Sequence, residues 1–487
     1  MPTLFRNASW SGTTAAFRAT SGLINALLAI RLLGVVDYGH VATVLSLFVL
    51  YLSLNTSIFT ALVVKLMAPA VAEEKQTAML ASSIFSALSI VVLVFVTLLL
   101  REFAPRLMSI EPGNVLEVEI RRVILLMGVL TAIQIAVALH SALIESSGRL
   151  DLAMKWQLIG PTVVLILLAI IFFAHITLTA SGFVAALCAG ALTDLCLLWF
   201  VKRKVMPARL SFWPTRKHLE GLVHLLKSGG VLQATSLMGM FLEPLNKLLL
   251  NHFVGAAAVT IYDLAMKVIW GIQYLFGAAM RVFLHLGSQN EEAVGPTFSR
   301  VLALVGVPVL ILHAIGALFL SWVAHHWLAI DAAQLMIFYA IATLSNLGMI
   351  YITPLYISLI GRGDLYFIFR SQTILAITNV VVTLTLVPFF GLIGAAFGLL
   401  AATIYNVSAI FARCKANSNT LDGLGNILRG QRLRYLLTAV LFAAAILLGI
   451  KGGGSYIGLL LVLLGLAAIT VREPMLGTVL ERMGFRS

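Results

Sequence analysis

Gly148-Arg149-Leu150-Asp151-Leu152 recurs as Gly361-Arg362-Gly363-Asp364-Leu365, each copy on the short polar link after a long apolar segment. Upstream, Asn25-Ala26-Leu27-Leu28 is matched by Asn246-Lys247-Leu248-Leu249. A glycine follows nine positions after each asparagine, Gly34 and Gly255. The two matches have nearly equal offsets. That agreement points to one half of the chain duplicated into the other, an arrangement common among membrane transporters.

The sequence around these repeats is 60% hydrophobic and only 11% charged over 487 residues. A soluble fold of this length is not so apolar, so the chain reads as an all-α polytopic membrane protein. At about 20 apolar residues per crossing, the segments near 14–33, 41–64, 78–100, 123–144, 156–174, 181–200, 229–250, 258–280, 301–323, 334–360, 371–388, 391–412, 435–450 and 454–471 make about fourteen transmembrane helices. The expected domains are an N-terminal lobe of six spans (1–200), a basic linker (201–228), a C-terminal lobe of six (229–412), and a basic link with two further spans (413–487). Equal, even span numbers make the lobes parallel repeats, related by a pseudo-two-fold axis along the membrane normal.

Charge sets the expected orientation. Lys and Arg number 33 against 20 Asp and Glu, a net charge of +13. Counted by link, 25 of the cations fall on the even-numbered links and the termini, and 6 on the odd-numbered links. Cytoplasmic loops collect Lys and Arg, which places both termini in the cytoplasm. The basic linker, with Lys202-Arg203-Lys204 and Arg216-Lys217, suits anionic lipid headgroups. No aromatic stacking pattern surrounds it, so nucleic acid is not an expected partner. The first residues lack a small-residue cleavage site and Arg18 interrupts the apolar region, so the first helix is expected to stay as an anchor.

Cys188, Cys196 and Cys414 have neither metal-ligand nor disulfide spacing. No cofactor, metal site or enzyme motif is implied: GxSxG, HExxH, phosphate loops and dinucleotide fingerprints are missing from the sequence.

Candidate functional residues are the polar groups inside spans, where each ionised side chain costs roughly 2.5–3.5 kcal/mol at mid-helix. Span 7 carries Glu243, Asn246 and Lys247, and span 8 carries Asp263 and Lys267. Glu243/Lys247 and Asp263/Lys267 each have i,i+4 spacing, which fits either intrahelical pairs or a charged face lining a wet path. Pro244 predicts a kink beside Glu243. Span 1 has Arg18 at one end, Asn25 midway and Arg31 at the other. Span 2 has Asn55 near its middle and Lys65 at its cytoplasmic end. Asp194 in span 6 lacks a partner on its own helix, so it either pairs with another helix or binds H+ or Na+. Asp194, Glu243, Asp263 and His313 are the ion-coupling candidates; the substrate-path candidates are Arg18, Asn25, Arg31, Asn55, Lys65, Glu243, Asn246, Lys247, Asp263 and Lys267. Asp151 and Asp364, two residues after each repeated Arg, are placed to cap the next helix.

Three stretches resemble the polysaccharide transporter family, the Wzx-type flippases of the multidrug/oligosaccharidyl-lipid/polysaccharide exporter superfamily. They are Ile30-Arg31-Leu32-Leu33-Gly34 through Asp37-Tyr38-Gly39, Phe253-Val254-Gly255-Ala256-Ala257-Ala258-Val259 leading to Tyr262, and Phe390-Gly391-Leu392-Ile393-Gly394-Ala395-Ala396. The resemblance spans about 10–412. It implies two six-helix lobes facing a central cavity lined by helices 1, 2, 7 and 8. It also implies a polyprenyl-diphosphate-linked glycan as substrate, a bacterial inner-membrane location, H+ or Na+ coupling, and glycan-assembly proteins such as a polymerase as partners. The Arg-Asp and Pro-Asn patterns of lipid II flippases in helices one and two are not visible, which ranks a lipid II flippase second. A cation-coupled multidrug exporter is the other reading within the superfamily. A membrane glycan polymerase or ligase ranks last, because the longest outward link, about 101–122, is small and lacks His.

Overall fold

A computed structural model describes residues 2–67, 72–111, 113–147, 149–205, 234, 238, 242–280, 294–328, 330–417, 440, 442–448 and 450. Among them the regular structure is helical throughout. The order is α1 (Pro2–Leu33), α2 (Val35–Met67), α3 (Ala72–Leu107), α4 (Val115–Ser146), α5 (Leu150–Trp156), α6 (Ile159–Phe173), α7 (Ala180–Val205), α8 (Leu242–Phe253) and α9 (Ala256–Met280). Then follow α10 (Val294–Val323), a π turn (Ala324–Leu328), α11 (Ala332–Gly361), α12 (Leu365–Phe390) and α13 (Leu392–Asn417).

Ten helical stretches among the described residues are long and apolar enough to cross a membrane. Helices suit that medium because every backbone group is satisfied within its own segment. Exposed apolar side chains such as Phe95, Leu99, Phe173 and Ile377 cover the outer faces, as lipid contact requires. α8 and α9, which carry the buried Lys247 and Asp263, fall outside those ten. Most of the basic linker, the expected span 14 and parts of spans 7 and 13 lie outside the described residues.

By contact density the chain forms two units, one of Met1–Leu264 with Leu365–Ala395, the other of Ala265–Asp364 with Ala396–Ser487. In the first, α4 packs against α2, α3 and α7, α1 packs against α5 and α6, and α8 is set between α2 and α12. In the second, α10 packs along α11, and Ser345 on α11 bonds Thr403 of α13 at 2.6 Å.

Two local devices shape the first unit. Gly34 and Gly255 both have positive φ, +89° and +109°. Only glycine takes that conformation without strain, so α1 turns into α2, and α8 into α9, at the same kind of left-handed hinge. Gly39 meets the start of α9 closely: a Cβ there would lie 1.9 Å from the Ala256 carbonyl oxygen. A side chain would force α2 and α9 apart.

The expected span 5 (156–174) corresponds to α6, with the short α5 ahead of it. One sequence reading changes in detail. Asp151 does not cap: it lies inside the first turn of α5 and accepts from Arg149 Nε at 3.4 Å. Pro244 lies on α8, and the turn before it, where the expected kink would form, lies largely outside the described residues.

Candidate functional site

The buried charges gather around α8. Its i,i+4 spacing puts Glu243 and Lys247 on one face, and they form an ion pair. Lys247 also leaves its own helix: Nζ donates to Asp263 Oδ1 on α9 at 2.6 Å. The other oxygen of Asp263 accepts from Tyr38 OH on α2, also at 2.6 Å. Three helices thus meet on one carboxylate. Lys247 and Asp263 are each 2% exposed, and Glu243 keeps 18% of its side chain accessible. The short hydrogen bonds and the pairing offset the cost of desolvating these ions.

A neutral layer flanks the cluster. Asn246 and Asn379 on α12 are both fully buried and exchange reciprocal amide bonds. Asn379 Nδ2 donates to Asn246 Oδ1 at 2.9 Å, and Asn246 Nδ2 donates back at 3.4 Å. Asn246 Nδ2 also reaches Tyr262 OH at 3.4 Å. Toward the Gly34 and Gly255 hinges, Asn251 Nδ2 donates to Thr43 Oγ1 at 3.1 Å and lies 3.4 Å from His40 Nδ1. Thr260 Oγ1 donates to the Val35 carbonyl at 2.5 Å. Polar contacts therefore recur along the α2 to α8/α9 boundary, and such bonds help to hold helices together in lipid, where the hydrophobic driving force is missing.

Asp194 sits elsewhere, on α7. Its Oδ1 accepts the Gly160 N–H at 2.7 Å, so it caps the α6 half-helix from across the bundle. A Cβ on Gly160 would lie 2.4 Å from Asp194 Oδ2, so glycine is needed for the carboxylate to approach. At the break before α6, Gln157 accepts from Arg18 and donates to Ser141, which donates to Glu145. Arg18 and Asp194 belong to this neighbourhood rather than to the Lys247 cluster.

His313 lies in the second unit, fully buried between α10 and α11. Asn346 Nδ2 is 3.2 Å from its Nε2, and Tyr339 OH is 3.1 Å from its Nδ1. Asn346 Nδ2 also donates to the Ile269 carbonyl, so its amide presents N–H to the ring. That arrangement fits the neutral imidazole with its proton on Nδ1.

The remaining candidates are scattered. Asn25 is buried, with no hydrogen-bond partner for Oδ1 among the described residues, and Arg31 is exposed in the last turn of α1. Asn55 is buried and donates to the Tyr51 carbonyl. Lys65 lies on α2 with its side chain outside the described set. Lys267 is half-buried on α9, one turn beyond Asp263. The structure thus joins Glu243, Lys247, Asp263 and Asn246, and adds Tyr38 and Asn379. Residue spacing gives no sign of these last two, because each sits on a helix remote in sequence. Among the described residues no cluster of His, Cys, Asp and Glu has the makings of a metal site.

Comparison with known proteins fits this architecture. A family model described as polysaccharide biosynthesis protein matches residues 4–284, more than half of the chain. No curated protein matches the sequence. Among solved structures, the lipid II flippase MurJ in an inward closed conformation superposes with a TM-score of 0.69 at 14% identity, covering 95% of this chain and 98% of that one. An inward-facing multidrug resistance transporter of the MATE family, in the MOP superfamily, gives 0.66 at 15% identity over 82% of this chain and 95% of that one. A MATE protein in a bent conformation gives 0.53 at 16% identity, over 85% and 95%. These helices, and the cluster of charges held among them, belong to a multi-pass membrane protein of the polysaccharide biosynthesis family, with the fold of the MurJ and MATE transporters.

Proposed function

We propose that the chain is a flippase that moves a polyprenyl-diphosphate-linked oligosaccharide from the cytoplasmic to the periplasmic leaflet of a bacterial inner membrane. The observation that carries this reading is Lys247, a buried cation shared by Glu243 and Asp263 in a chain of the polysaccharide biosynthesis family. A diphosphate crossing an apolar slab needs cationic donors on its path. Arg18, Arg31, Lys65 and Lys267 add cations on spans 1, 2 and 8, and Asn25, Asn55 and Asn246 add hydrogen-bonding groups.

Within the cluster two carboxylates face one ammonium. Lys247 cannot serve a phosphate while both hold it. A coupling cation, H+ or Na+, entering at the more accessible Glu243 frees the ammonium for the substrate. Cation uptake and diphosphate binding then favour each other by linkage. Asp194 and His313 are weaker coupling candidates, since the first caps α6 and the second sits among hydrogen bonds that suit its neutral form. Alternating access by the two expected lobes supplies the movement. Anionic headgroups at the basic linker and a glycan polymerase at the outer face complete the proposed partners.

The test is reconstitution. Purified protein in vesicles should translocate a defined polyprenyl-diphosphate-linked glycan, and Lys247→Ala should reduce that sharply, with Arg31→Ala as the second variant. Equal translocation by wild type and both variants removes these residues from the path. Deleting the gene should leave lipid-linked glycan on the cytoplasmic side. The paired acids also suit a cation-coupled multidrug exporter, and unchanged drug susceptibility on overexpression argues against that reading. Translocation of lipid II in place of other glycans would favour the peptidoglycan alternative.

A further inference from the structure

We infer that Tyr38 and Asp263 form a latch that holds α2 against α9 at the end of the bundle marked by Gly34 and Gly255, and that Lys247 maintains its strength.

The geometry is specific. Asp263 divides its two oxygens between two helices, Oδ1 to Lys247 of α8 and Oδ2 to Tyr38 of α2. Tyr38 is 3% exposed and Asp263 2%, so bulk water does not compete for the bond while the seam is closed. At about 1.5 Å of rise per residue, Tyr38 lies close to the Gly34 hinge and Asp263 about 10 Å from the start of α9. Around them the same boundary is closed by Gly39 against Ala256, and by neutral bonds from Thr260 to Val35 and from Asn251 to Thr43. Tyr38 to Asp263 differs because it ends on a carboxylate, and such bonds are roughly twice as strong as neutral ones.

That strength depends on Asp263 staying ionised. The groups facing it are Tyr38 from α2 and Lys247, with Glu243 behind it, from α8; Tyr262 and Lys267 flank it on its own helix, and α12 brings the neutral Asn379 to the adjoining Asn246. When Lys247 turns away, Asp263 loses the ammonium that holds its Oδ1 and fixes the aim of the carboxylate at Tyr38. The Tyr38 bond then weakens. Release of Lys247 to an anionic headgroup therefore loosens α2 from α9. The purpose given to the latch rests on the flippase reading; its existence does not.

The experiment uses the full chain with Cys188, Cys196 and Cys414 replaced by alanine and a reporter cysteine at Ser46, which is buried one turn below Thr43 on α2. Sealed vesicles of both orientations are labelled with a membrane-impermeant maleimide, without any glycan. Tyr38→Phe should raise the labelling rate roughly tenfold or more, the effect of losing one hydrogen bond to a charged group. The rise should occur in one vesicle orientation only. Asp263→Asn should raise it less, because a neutral bond to Tyr38 survives, and Lys247→Met should raise it less, because the Tyr38 bond remains on a carboxylate that has lost one of its two anchors. Thermal unfolding of each variant separates a loosened seam from a misfolded chain, and Tyr38→Phe removes a single hydroxyl. Wild-type labelling in folded Tyr38→Phe overturns the latch, while leaving the flippase reading to its own translocation assay. A rise in Tyr38→Phe with none in folded Asp263→Asn and Lys247→Met overturns the role of charge.

Discussion

Replacing Lys247 with methionine tests whether charge holds the α8–α9 cluster together. The ammonium lies 2.6 Å from Asp263 Oδ1 and pairs with Glu243 as well. At an effective dielectric near 20, one such contact attracts by about 6 kcal/mol before desolvation is counted. Desolvation offsets several kcal/mol for each ion. Deleting the cation removes the attraction and leaves two buried carboxylates, so Lys247→Met should destabilise the protein by about 3–5 kcal/mol. The charge-free combination Glu243→Gln, Lys247→Met and Asp263→Asn has similar volume and leaves no unpaired ion. It should recover most of the loss, because neutral replacements of buried ion sets are often close to isoenergetic. The assay is thermal unfolding of purified protein in one detergent, with glycan translocation measured in parallel. The single variant should unfold well below wild type and the triple variant close to it, with neither moving substrate. A Lys247→Met protein that unfolds with wild type, or a triple variant no more stable than the single, would refute the electrostatic account. A triple variant that translocates normally would refute the assigned role.

Gly39→Ala should destabilise by about 1–3 kcal/mol or more, because the added methyl meets the Ala256 carbonyl; Gly22→Ala, with open space at its Cβ, is the control, and equal unfolding temperatures would count against the close α2–α9 approach. Asp194→Ala strips the Gly160 N–H of its partner and should cost about 1–3 kcal/mol, while Gly160→Ala clashes with the same carboxylate; the double variant should therefore be less damaging than the sum of the two, and strict additivity in a thermal-unfolding cycle would show that they do not meet. His313→Leu should lower stability through lost hydrogen bonds yet leave the pH profile of translocation unmoved; a shifted profile would restore His313 as a coupling group.

The helices were legible because their cause is local. Apolar runs of about 20 residues, glycine at the Gly34 and Gly255 turns, and asparagine nine residues before each are read directly from residue order. The Glu243–Lys247 pair was legible for the same reason, since i,i+4 spacing brings two side chains together on any helix. The same rule offered Lys267 to Asp263 but gave no sign that the carboxylate bonds Lys247 on the preceding helix. Spacing along one helix carries no information about a neighbour's face. The buried acid Asp194 was visible as a group in need of a partner, but that partner, a backbone N–H exposed by the break before α6, was not.

Sequence by itself therefore determined the medium, the helical class and the few residues too polar to sit in lipid without a reason. Burial energy and backbone satisfaction act segment by segment, so composition and period suffice for them. Tertiary structure alone decided which of those residues meet. Tyr38 and Lys247 share the Asp263 carboxylate because α2 and α8 meet the start of α9, with Gly39 permitting the close approach of α2 to α9. That juxtaposition turns three isolated polar residues into one coupled site, since a hydrogen bond of 2.6 Å requires a placement that no intrahelical rule can set.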